Sequence, residues 1–378
     1  MIAADAGALV RVPSFTGDER AALEWLAARA EGLGLCATLV EHDLAVVRAA
    51  PGWPGEEVGR SELLTLEVGR RDAPATPARR LALCAHVDVV GLGSEPWSCE
   101  QGEIAGGFVH GRGSADMKGA AVAALHALAA ARPAAGVEVV LLLVSSEEDG
   151  GQGAFAALER DARFDACVIP EPTGFDVVCA QAGALTFRGV VGGRAAHAAA
   201  RLEGESAIDN YLPVHAAIAA HERALNAGVE HPLMRELALP YPVCVGRLAA
   251  GEWSSSVPDR CVFEGRLGVR VGEPLAAARA AFEERLGLEL AWTGGQFASA
   301  ETPVDHPLVR LALAAAGDGS RAVGVPYGAD MRLFCARGIP TVMVGTGGLE
   351  LAHAVDERIS IAELERLAAV LRAIVEDW

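Results

Sequence analysis

Continuous apolar runs in the N-terminal half of the chain predict buried β-strands. These runs cover residues 81–90, 137–146 and 165–169, and unbroken apolar strands are typical of a sheet that helices cover on both faces. An Ala-rich segment at residues 117–132 predicts one of the covering helices. Residues 51–80 are rich in Pro, Gly and charge around a short LLTLEV run, which favours a surface excursion.

The first predicted helix begins close to residue 19. Thr16 and Glu19 have the spacing of a capping box, in which two side chains satisfy free N–H groups at a helix start. An Ala- and Leu-rich segment follows, and Gly32 and Gly34 mark its end. Because helices and strands alternate in this part of the chain, the pattern predicts an α/β fold with a mostly parallel central sheet.

A different pattern begins near residue 184. The segments LTFRGVVGG, YPVCVGRLAAG, CVFEGRLGVRVG and LELAW predict strands, and AIDNYLPVHAAIAAHERAL and EPLAAARAAFEERLG predict helices. In the first of these helices, we expect one face to carry Ile208, Leu212, His215 and Ile218. The resulting order, βαββαβ, is that of the ferredoxin-like unit.

The α/β pattern resumes after residue 296, with a helix at 307–317, a strand at 340–345 and a final helix at 361–376. Both chain ends therefore build one catalytic, metal-binding domain, residues 1–183 and 296–378. Residues 184–295 are an inserted domain. A length of 378 residues suits two domains better than one core.

Charge and cysteine usage exclude several classes of partner. The net charge of −18 argues against binding to nucleic acid or to an anionic membrane surface. No apolar run approaches the roughly 18 residues that a membrane span needs, and no signal peptide is evident. The eight cysteines are scattered without a Cys-x-x-Cys pair, which indicates reduced thiols in a cytoplasmic protein.

Imidazole and carboxylate side chains follow the predicted strands, at the sheet edge where ligands of open α/β folds bind. These two groups are the ligands of many catalytic zinc sites. The candidates are His86, Asp88, Asp116, Glu147, Glu148, Glu171 and His353. A lone His or Glu is usually an ordinary polar residue, but coincidence is improbable for a set that recurs in one strand-to-loop context.

The positions of these residues suggest their roles. His86 and Asp88 are two apart on a strand and share a face, so a carboxylate can orient the His86 ring. Asp116 follows a Gly-rich bend and can lie between two metals. Glu147 and Glu148 leave one strand end together, so that one would bind metal and the other would take a proton from water. Two divalent ions would more than neutralise three ligand carboxylates.

At these residues the chain resembles the acetylornithine deacetylase/succinyl-diaminopimelate desuccinylase family of co-catalytic zinc hydrolases. The resemblance runs in order through HVDVV, GRGSADMKG, SSEEDGGQGA, EPT, GGRAAHAAA, YGADMRLF and AHAVDE. It implies two metal ions that share Asp116, one on His86, Asp116 and Glu171 and the other on Asp116, Glu148 and His353. Zinc is the expected metal, with cobalt and manganese as alternatives.

The resemblance also implies roles beyond the metal ligands. Glu147 would be the general base, and Asp88 would support the ligands from behind. In such relatives the inserted domain acts as a lid and dimerisation surface, so we expect a homodimer. His197 would then reach a neighbouring active site and stabilise the oxyanion, and its structural alternative is a lid-loop residue without a catalytic part.

Two further side chains keep two interpretations each. Arg270 is on the polar face of its strand and either clamps a substrate carboxylate or forms a surface ion pair. Asp330, in YGADMRLF, either contacts a substrate amine or supports its own loop.

The substrate class stays open at this stage. The segment HPLMRELALPYPVCVGRLAAGEWSSSVPD resembles a deacylase subgroup that includes formylaminopyrimidine deformylases. We expect a metal-dependent amidohydrolase that removes an acetyl, formyl or succinyl type of N-acyl group from a small amine or amino acid. A dipeptidase or carboxypeptidase would use the same ligands, and a non-catalytic binding protein would have no need of Glu147.

Overall fold

The computed structural model describes residues 1–347 and 349–378. The α-helices are α1 (Ile2–Arg11), α2 (Arg20–Gly32), α3 (Leu44–Ala49), α4 (Lys118–Ala130), α5 (Gln152–Arg160), α6 (Ala207–Leu225), α7 (Leu275–Leu286), α8 (Pro307–Ala316), α9 (Met331–Cys335) and α10 (Ile361–Asp377). Short 3₁₀ helices lie at Ala198–Glu203, Met234–Glu236 and Leu349–Leu351. Within these two described ranges, no helix combines the length and the apolar character that crossing a membrane requires.

The strands are β1 (Leu35–Glu41), β2 (Leu64–Arg70), β3 (Arg79–His86), β4 (Ile104–Ala105), β5 (Phe108–His110), β6 (Val137–Val144), β7 (Ala166–Ile169), β8 (Val177–Gln181), β9 (Gly183–Gly192), β10 (Ala196–His197), β11 (Val243–Ala250), β12 (Ser256–Val257), β13 (Arg260–Val269), β14 (Ala291–Phe297), β15 (Ala300–Glu301), β16 (Ala322–Val325), β17 (Thr341–Met343) and β18 (Arg358–Ser360). The chain divides into two compact units. Unit 1 comprises Met1–Cys179, Glu301–Val323 and Ala329–Trp378, and unit 2 comprises Ala180–Ala300 and Gly324–Gly328.

The large sheet on which unit 1 is built has the strand order β1-β2-β6-β3-β7-β17-β8-β15, and β16 also pairs with β8. Its central strands β6, β3, β7 and β17 run parallel, and the antiparallel strands β1, β2 and β8 flank them. The central strands are buried along most of their length, as their continuous apolar runs predict. The predicted α/β class with a parallel centre is therefore confirmed.

Helix α4 is the main cover on one face of this sheet. It packs against β3 and β6 on one side and against α1 and α10 on the other. Nearly all of its residues are buried, because a helix that is apolar around its whole circumference has protein on every side. Its bounds agree with the helix predicted over residues 117–132.

Two local predictions for unit 1 are wrong. The LLTLEV run forms β2, which pairs with β6 inside the sheet, so this part of residues 51–80 is not a surface excursion. The expected capping box does not form either. Glu19 accepts the N–H of Gly17 at 2.8 Å and pairs with buried Arg60 at 3.3 Å, while Thr16 donates to Asp88 at 3.2 Å. Tertiary partners have replaced the local cap.

Unit 2 contains the antiparallel sheet β11-β13-β9-β14 with α6 and α7 packed together. The chain order β9-α6-β11-β13-α7-β14 and this strand order are those of a ferredoxin-like unit, so the predicted fold of the insertion is confirmed. The core is aromatic, with Phe187 in contact with both Phe263 and Phe282. The last strand differs from its predicted position, because β14 begins only at the end of LELAW.

Helix α6 has the predicted bounds but buries a neighbouring face. Its buried positions include Ala207, Tyr211 and Ile218, whereas Ile208 and Leu212 are 45% and 60% exposed. Two adjacent apolar stripes run along this helix, and the packing against the sheet selects the one with Tyr211. The other stripe leaves an apolar face on the surface of unit 2.

Candidate metal centre

The candidate ligands gather at one edge of the sheet in unit 1. His86 is the last residue of β3, Glu147 and Glu148 follow the end of β6, and Glu171 follows the end of β7. These three strands run parallel, so their carboxyl ends lie at the same edge. Asp116 lies in the turn before α4. The structure therefore brings to one sheet edge the residues that follow β3, β6 and β7, as the sequence pattern predicts for that edge.

The first group of candidate ligands, here called the inner position, consists of His86, Asp116 and Glu171. His86 Nε2 lies 3.1 Å from Asp116 Oδ1 and 4.0 Å from Glu171 Oε1. The other ring nitrogen, Nδ1, lies 3.0 Å from the backbone carbonyl oxygen of Asp88. A carbonyl can only accept, so this contact fixes a proton on Nδ1, and in the neutral ring Nε2 is the nitrogen that could bind a metal.

The second group, here called the outer position, consists of Asp116, Glu148 and His353. His353 Nε2 lies 3.0 Å from Glu148 Oε2 and 3.7 Å from Asp116 Oδ2. Asp116 thus presents one carboxylate oxygen to each position, which is the arrangement of a bridging ligand. In each group the possible ligand atoms lie within 4.8 Å of one another.

Burial and crowding of carboxylates shape the electrostatics of the site. Burial is the main reason why the pKa of Glu171 rises to about 8, and the charge of Asp116 adds to it. Burial opposes a charge on His86 too, but Asp116, Glu171 and Asp88 outweigh it and raise the pKa of His86. A cluster of this kind is stabilised by cations, and its donors are imidazole and carboxylate groups that fit divalent metal ions.

Glu147 belongs to neither ligand group among the described residues. Glu147 as a whole is 9% exposed. Burial, with the charges of Glu171 and Asp330 next, raises the pKa of Glu147 well above its ordinary value. A carboxyl group with a raised pKa beside two ligand sets is suited to hold and pass on a proton.

The carboxylate of Asp88 has a different task from the one expected. It lies 3.6 Å from His86 Nδ1, too far for a hydrogen bond, and the backbone carbonyl of Asp88 orients the ring instead. Its two oxygens accept the backbone N–H groups of Glu147 and Glu148, each at 3.1 Å. Asp88 therefore supports both halves of the site, the ring through its backbone and the turn through its side chain.

Asp330 lies beneath the turn that follows Glu148. A Cβ atom on Gly151 would meet Asp330 Oδ1 at 2.2 Å, and Arg332 donates to the carbonyl of Gly150 at 2.7 Å. Both carboxylate oxygens of Asp330 are buried without a hydrogen-bond partner in the described structure, and burial raises its pKa to about 6. Asp330 therefore packs against this turn, and its contact with a substrate amine stays a prediction.

The two remaining candidates belong to unit 2. His197 is exposed at the end of β10, and its Nδ1 accepts the N–H of Ala199 at 3.1 Å. The guanidinium of Arg270 donates to the carbonyl oxygens of Leu225 at 2.8 Å and Ala224 at 3.1 Å. Arg270 thus caps the C-terminus of α6, a contact that neither sequence interpretation included.

Sequence reasoning gave no role to Arg112 and Glu357. These residues form a buried ion pair, with Arg112 Nη1 donating to Glu357 Oε2 at 2.6 Å. Both lie in the motifs that carry the resemblance, GRGSAD and AHAVDE, but 245 residues separate them. Their position in the same motifs as the candidate ligands Asp116 and His353 was the available signal, although it could not reveal that the two residues are partners.

Known proteins are similar to this chain over most of its length. Residues 82–377 match the sequence model of Peptidase family M20/M25/M40. The chain is 30% identical over 403 residues to a protein named succinyl-diaminopimelate desuccinylase from Methylobacterium sp. (strain 4-46), and the match covers 98% of this chain and 94% of that protein.

Solved structures extend the likeness to the fold. An M20 family metallo-carboxypeptidase from Sulfolobus solfataricus matches with a TM-score of 0.73 at 16% identity, covering 98% of this chain and 97% of the other. A tripeptidase from Staphylococcus aureus subsp. aureus Mu50 matches with a TM-score of 0.72 at 19% identity, covering 100% and 97%. At this level of identity the likeness establishes a shared fold.

Proposed function

The chain belongs to Peptidase family M20/M25/M40 and is a metal-dependent hydrolase of amide bonds, and we propose that it removes an N-acyl group of the acetyl, formyl or succinyl type from a small amine or amino acid. One observation carries the proposal: Asp116 faces two sets of imidazole and carboxylate donors, while Glu147 stands apart from both. A non-catalytic binding protein would have no need of that separate carboxylate.

We propose that two divalent ions occupy the inner and outer positions. His86 and Glu171 would hold one, Glu148 and His353 the other, and Asp116 both. Zinc suits this donor set, and cobalt or manganese are the alternatives. Such ions supply Lewis acidity, which polarises a substrate carbonyl and lowers the pKa of water.

The proton transfers fall to Glu147. Its carboxylate would accept a proton from the attacking water at a side-chain oxygen and deliver it to the departing amine nitrogen. Its buried position outside both sets of candidate ligands suits Glu147 to this proton transfer. Asp88 would keep Glu147 and Glu148 in place through their backbone N–H groups.

His197 is our proposed donor to the oxyanion. Its Nδ1 accepts an N–H from Ala199, so the ring proton of the neutral tautomer is on Nε2. Nε2 is then a hydrogen-bond donor on an exposed side chain. His197→Ala should lower kcat by about 100-fold or more with metal content unchanged, because an oxyanion donor acts mainly in the transition state.

The relatives guide the choice of substrate. The similar curated protein is a desuccinylase, whereas the similar solved structures are a carboxypeptidase and a tripeptidase. N-succinyl amino acids are therefore the first substrates to test, and peptides are the alternative. The likeness to formylaminopyrimidine deformylases stays a prediction, so N-formyl substrates belong in the same test.

A substrate panel decides between these activities. N-succinyl, N-acetyl and N-formyl derivatives of one set of amino acids would be compared with dipeptides and tripeptides of the same residues, with added zinc. We expect the highest kcat/KM for an N-acyl amino acid. A higher kcat/KM for the peptides would establish a peptidase. Turnover no faster than that of Glu147→Gln on every substrate would establish a binding protein.

We also propose a homodimer formed through unit 2. Leu212 on α6 and Leu248 on β11 are 60% and 56% exposed, and β11 is an edge strand of its sheet. An exposed apolar stripe and a free strand edge can pair with copies of themselves about a two-fold axis. Light scattering should give a dimer, and Leu212→Asp with Leu248→Asp should give a monomer.

The proposed compartment is the cytoplasm. All eight cysteines carry free thiols, and Cys84, Cys167, Cys179 and Cys261 are buried. Such residues suit a reducing environment. Cell fractionation of the native host would check the assignment.

A further inference from the structure

We infer that Arg112 and Glu357 are positioning residues that set the geometry of the outer position, an inference that rests on the proposed two-ion function. Neither residue is a candidate ligand, and both lie in unit 1. They form the buried ion pair described above, with exposed side-chain fractions of 4% and 0%. A fully desolvated pair is costly unless its remaining hydrogen bonds are satisfied, so its further contacts indicate its task.

The contacts of Glu357 lead to Asp116. Glu357 Oε1 accepts the backbone N–H of Ala115 at 2.9 Å and that of Asp116 at 3.1 Å. Its second oxygen, Oε2, accepts from Arg112. Carboxylate-to-N–H bonds are charge-assisted and directional. Glu357 thereby fixes the backbone from which the shared ligand projects.

The contacts of Arg112 lead to His353. Arg112 Nη2 donates to the backbone carbonyl oxygen of His353 at 3.1 Å, and its Nε donates to that of Gly91 at 3.3 Å. His353 has a left-handed backbone with φ of 59°, which is uncommon for a residue other than glycine. A hydrogen bond from outside the loop therefore helps to hold the His353 ligand in place.

The pair therefore joins two of the three ligands of the outer position. At the inner position, His86 ends a paired strand and Glu171 follows another, so the sheet itself holds them. Loss of the pair should weaken the outer ion more than the inner one. Loss of a group that orients a metal ligand typically costs about 10–100-fold in affinity. We expect an effect of that size on the outer ion and a smaller one on the inner ion, which shares only Asp116 with it.

Two substitutions test the pair. Glu357→Gln removes the charge that faces Arg112, and Arg112→Lys keeps the charge but replaces a planar fork that reaches Glu357 and His353 together. Glu283→Gln is the matched control in unit 2. Its carboxylate oxygen Oε1 also accepts two N–H groups, from Leu290 at 3.0 Å and Trp292 at 3.1 Å, but it touches no segment of the site.

The measurement is a calorimetric zinc titration of the metal-free protein, with the Tm of each metal-free variant and kcat and KM at rising zinc. We expect wild type and Glu283→Gln to bind two ions. In Glu357→Gln and Arg112→Lys the weaker site should lose about 10–100-fold in affinity, while saturating zinc restores kcat. If Glu357→Gln does not fold, Arg112→Lys alone gives the comparison.

Three outcomes would overturn the inference. Two wild-type affinities in both variants would show that the pair does not position the ligands. An equal loss at both sites with a matching fall in the metal-free Tm would assign the pair a general structural role. A single zinc site in wild type would overturn the two-ion function and this inference together, and the wild-type titration alone identifies that case.

Discussion

The proposed inner and outer metal positions offer the same kinds of side chain, but the chain holds these side chains by different means. The inner position takes His86 and Glu171 from the ends of paired parallel strands, and both side chains are buried. The outer position takes Glu148 from a turn and His353 from a loop, and half of the His353 side chain is exposed.

This difference indicates how rigidity is divided across the site. At the inner position, backbone hydrogen bonds of the sheet fix the direction of the ligands, so few other side chains are needed. At the outer position, the carboxylates of Asp88 and Glu357 and the guanidinium of Arg112 do that work. A loop or turn that is held in place by side chains opens more easily than a strand at the centre of a sheet. We therefore expect the outer ion to exchange faster than the inner ion.

The largest effect on kcat should come from substitutions of the adjacent residues Glu147 and Glu148, which distinguish the general base from the metal ligand. Glu147→Gln cannot accept a proton, so kcat should fall by about 100-fold or more while both ions remain. Glu148→Gln should instead empty the outer position. Metal content and kcat would be measured on both variants. Near-normal turnover of Glu147→Gln would show that Glu147 is not the general base. Loss of an ion from Glu147→Gln would show that Glu147 is a metal ligand.

The next effect compares the two histidines directly. His353→Ala should leave one tightly bound ion, and His86→Ala should lose the inner ion and weaken the outer one, because Asp116 then lacks its partner at 3.1 Å. Without added zinc, each substitution should lower the activity by more than the factor of about 10–100 that is typical for loss of a group that only orients a ligand. Metal analysis after dialysis measures how many ions each variant retains. Equal retention by both variants would remove the distinction between the positions.

The inner position could be predicted from the sequence because it depends on regular structure. A continuous apolar run predicts a buried parallel strand, and the residue at its carboxyl end is then expected at the ligand-binding edge. His86 and Glu171 follow such runs. For the outer position, the sequence placed His353 after the predicted strand at 340–345, and the resemblance of the AHAVDE motif supported that choice.

What could not be predicted depends on contacts between distant segments. Thr16 and Glu19 have a local capping pattern, but in the folded chain Thr16 donates to Asp88 and Glu19 pairs with Arg60 instead. On α6 two apolar stripes are equivalent in the sequence, and the sheet of unit 2 decides that Tyr211 is buried. The function of such side chains becomes visible only once the chain has folded.

A smaller effect is expected when Asp88 becomes Asn. The side-chain amide offers one acceptor oxygen where the carboxylate offers two, so one N–H of Glu147 or Glu148 loses its partner. The backbone carbonyl that orients His86 remains. We expect the outer ion and kcat to lose about 10–100-fold and the inner ion to change little.

The control for this substitution is Thr16→Val. It removes only the hydroxyl that donates to Asp88 Oδ2 at 3.2 Å and leaves the two N–H contacts intact. Zinc titration and kcat of the two variants give the comparison. A loss of the inner ion from Asp88→Asn as large as that of the outer ion would mean that the carboxylate supports His86 after all.

The smallest effect should come from substitution of Ser98, which contacts the outer position only through Asp356, the neighbour of Glu357. The N–H and hydroxyl of Ser98 both donate to the carboxylate of Asp356, each at 2.7 Å, and Asp356 has a left-handed backbone with φ of 61° next to Glu357. Ser98→Ala removes the hydroxyl contact and keeps the N–H contact, so the zinc affinity of the outer position should fall by less than about tenfold.

Ser206→Ala, which removes the cap of α6 in unit 2, is the control and should leave both zinc affinities unchanged. A loss from Ser98→Ala as large as that from Glu357→Gln would show that the whole loop around His353, and not the Arg112–Glu357 pair, determines the outer position.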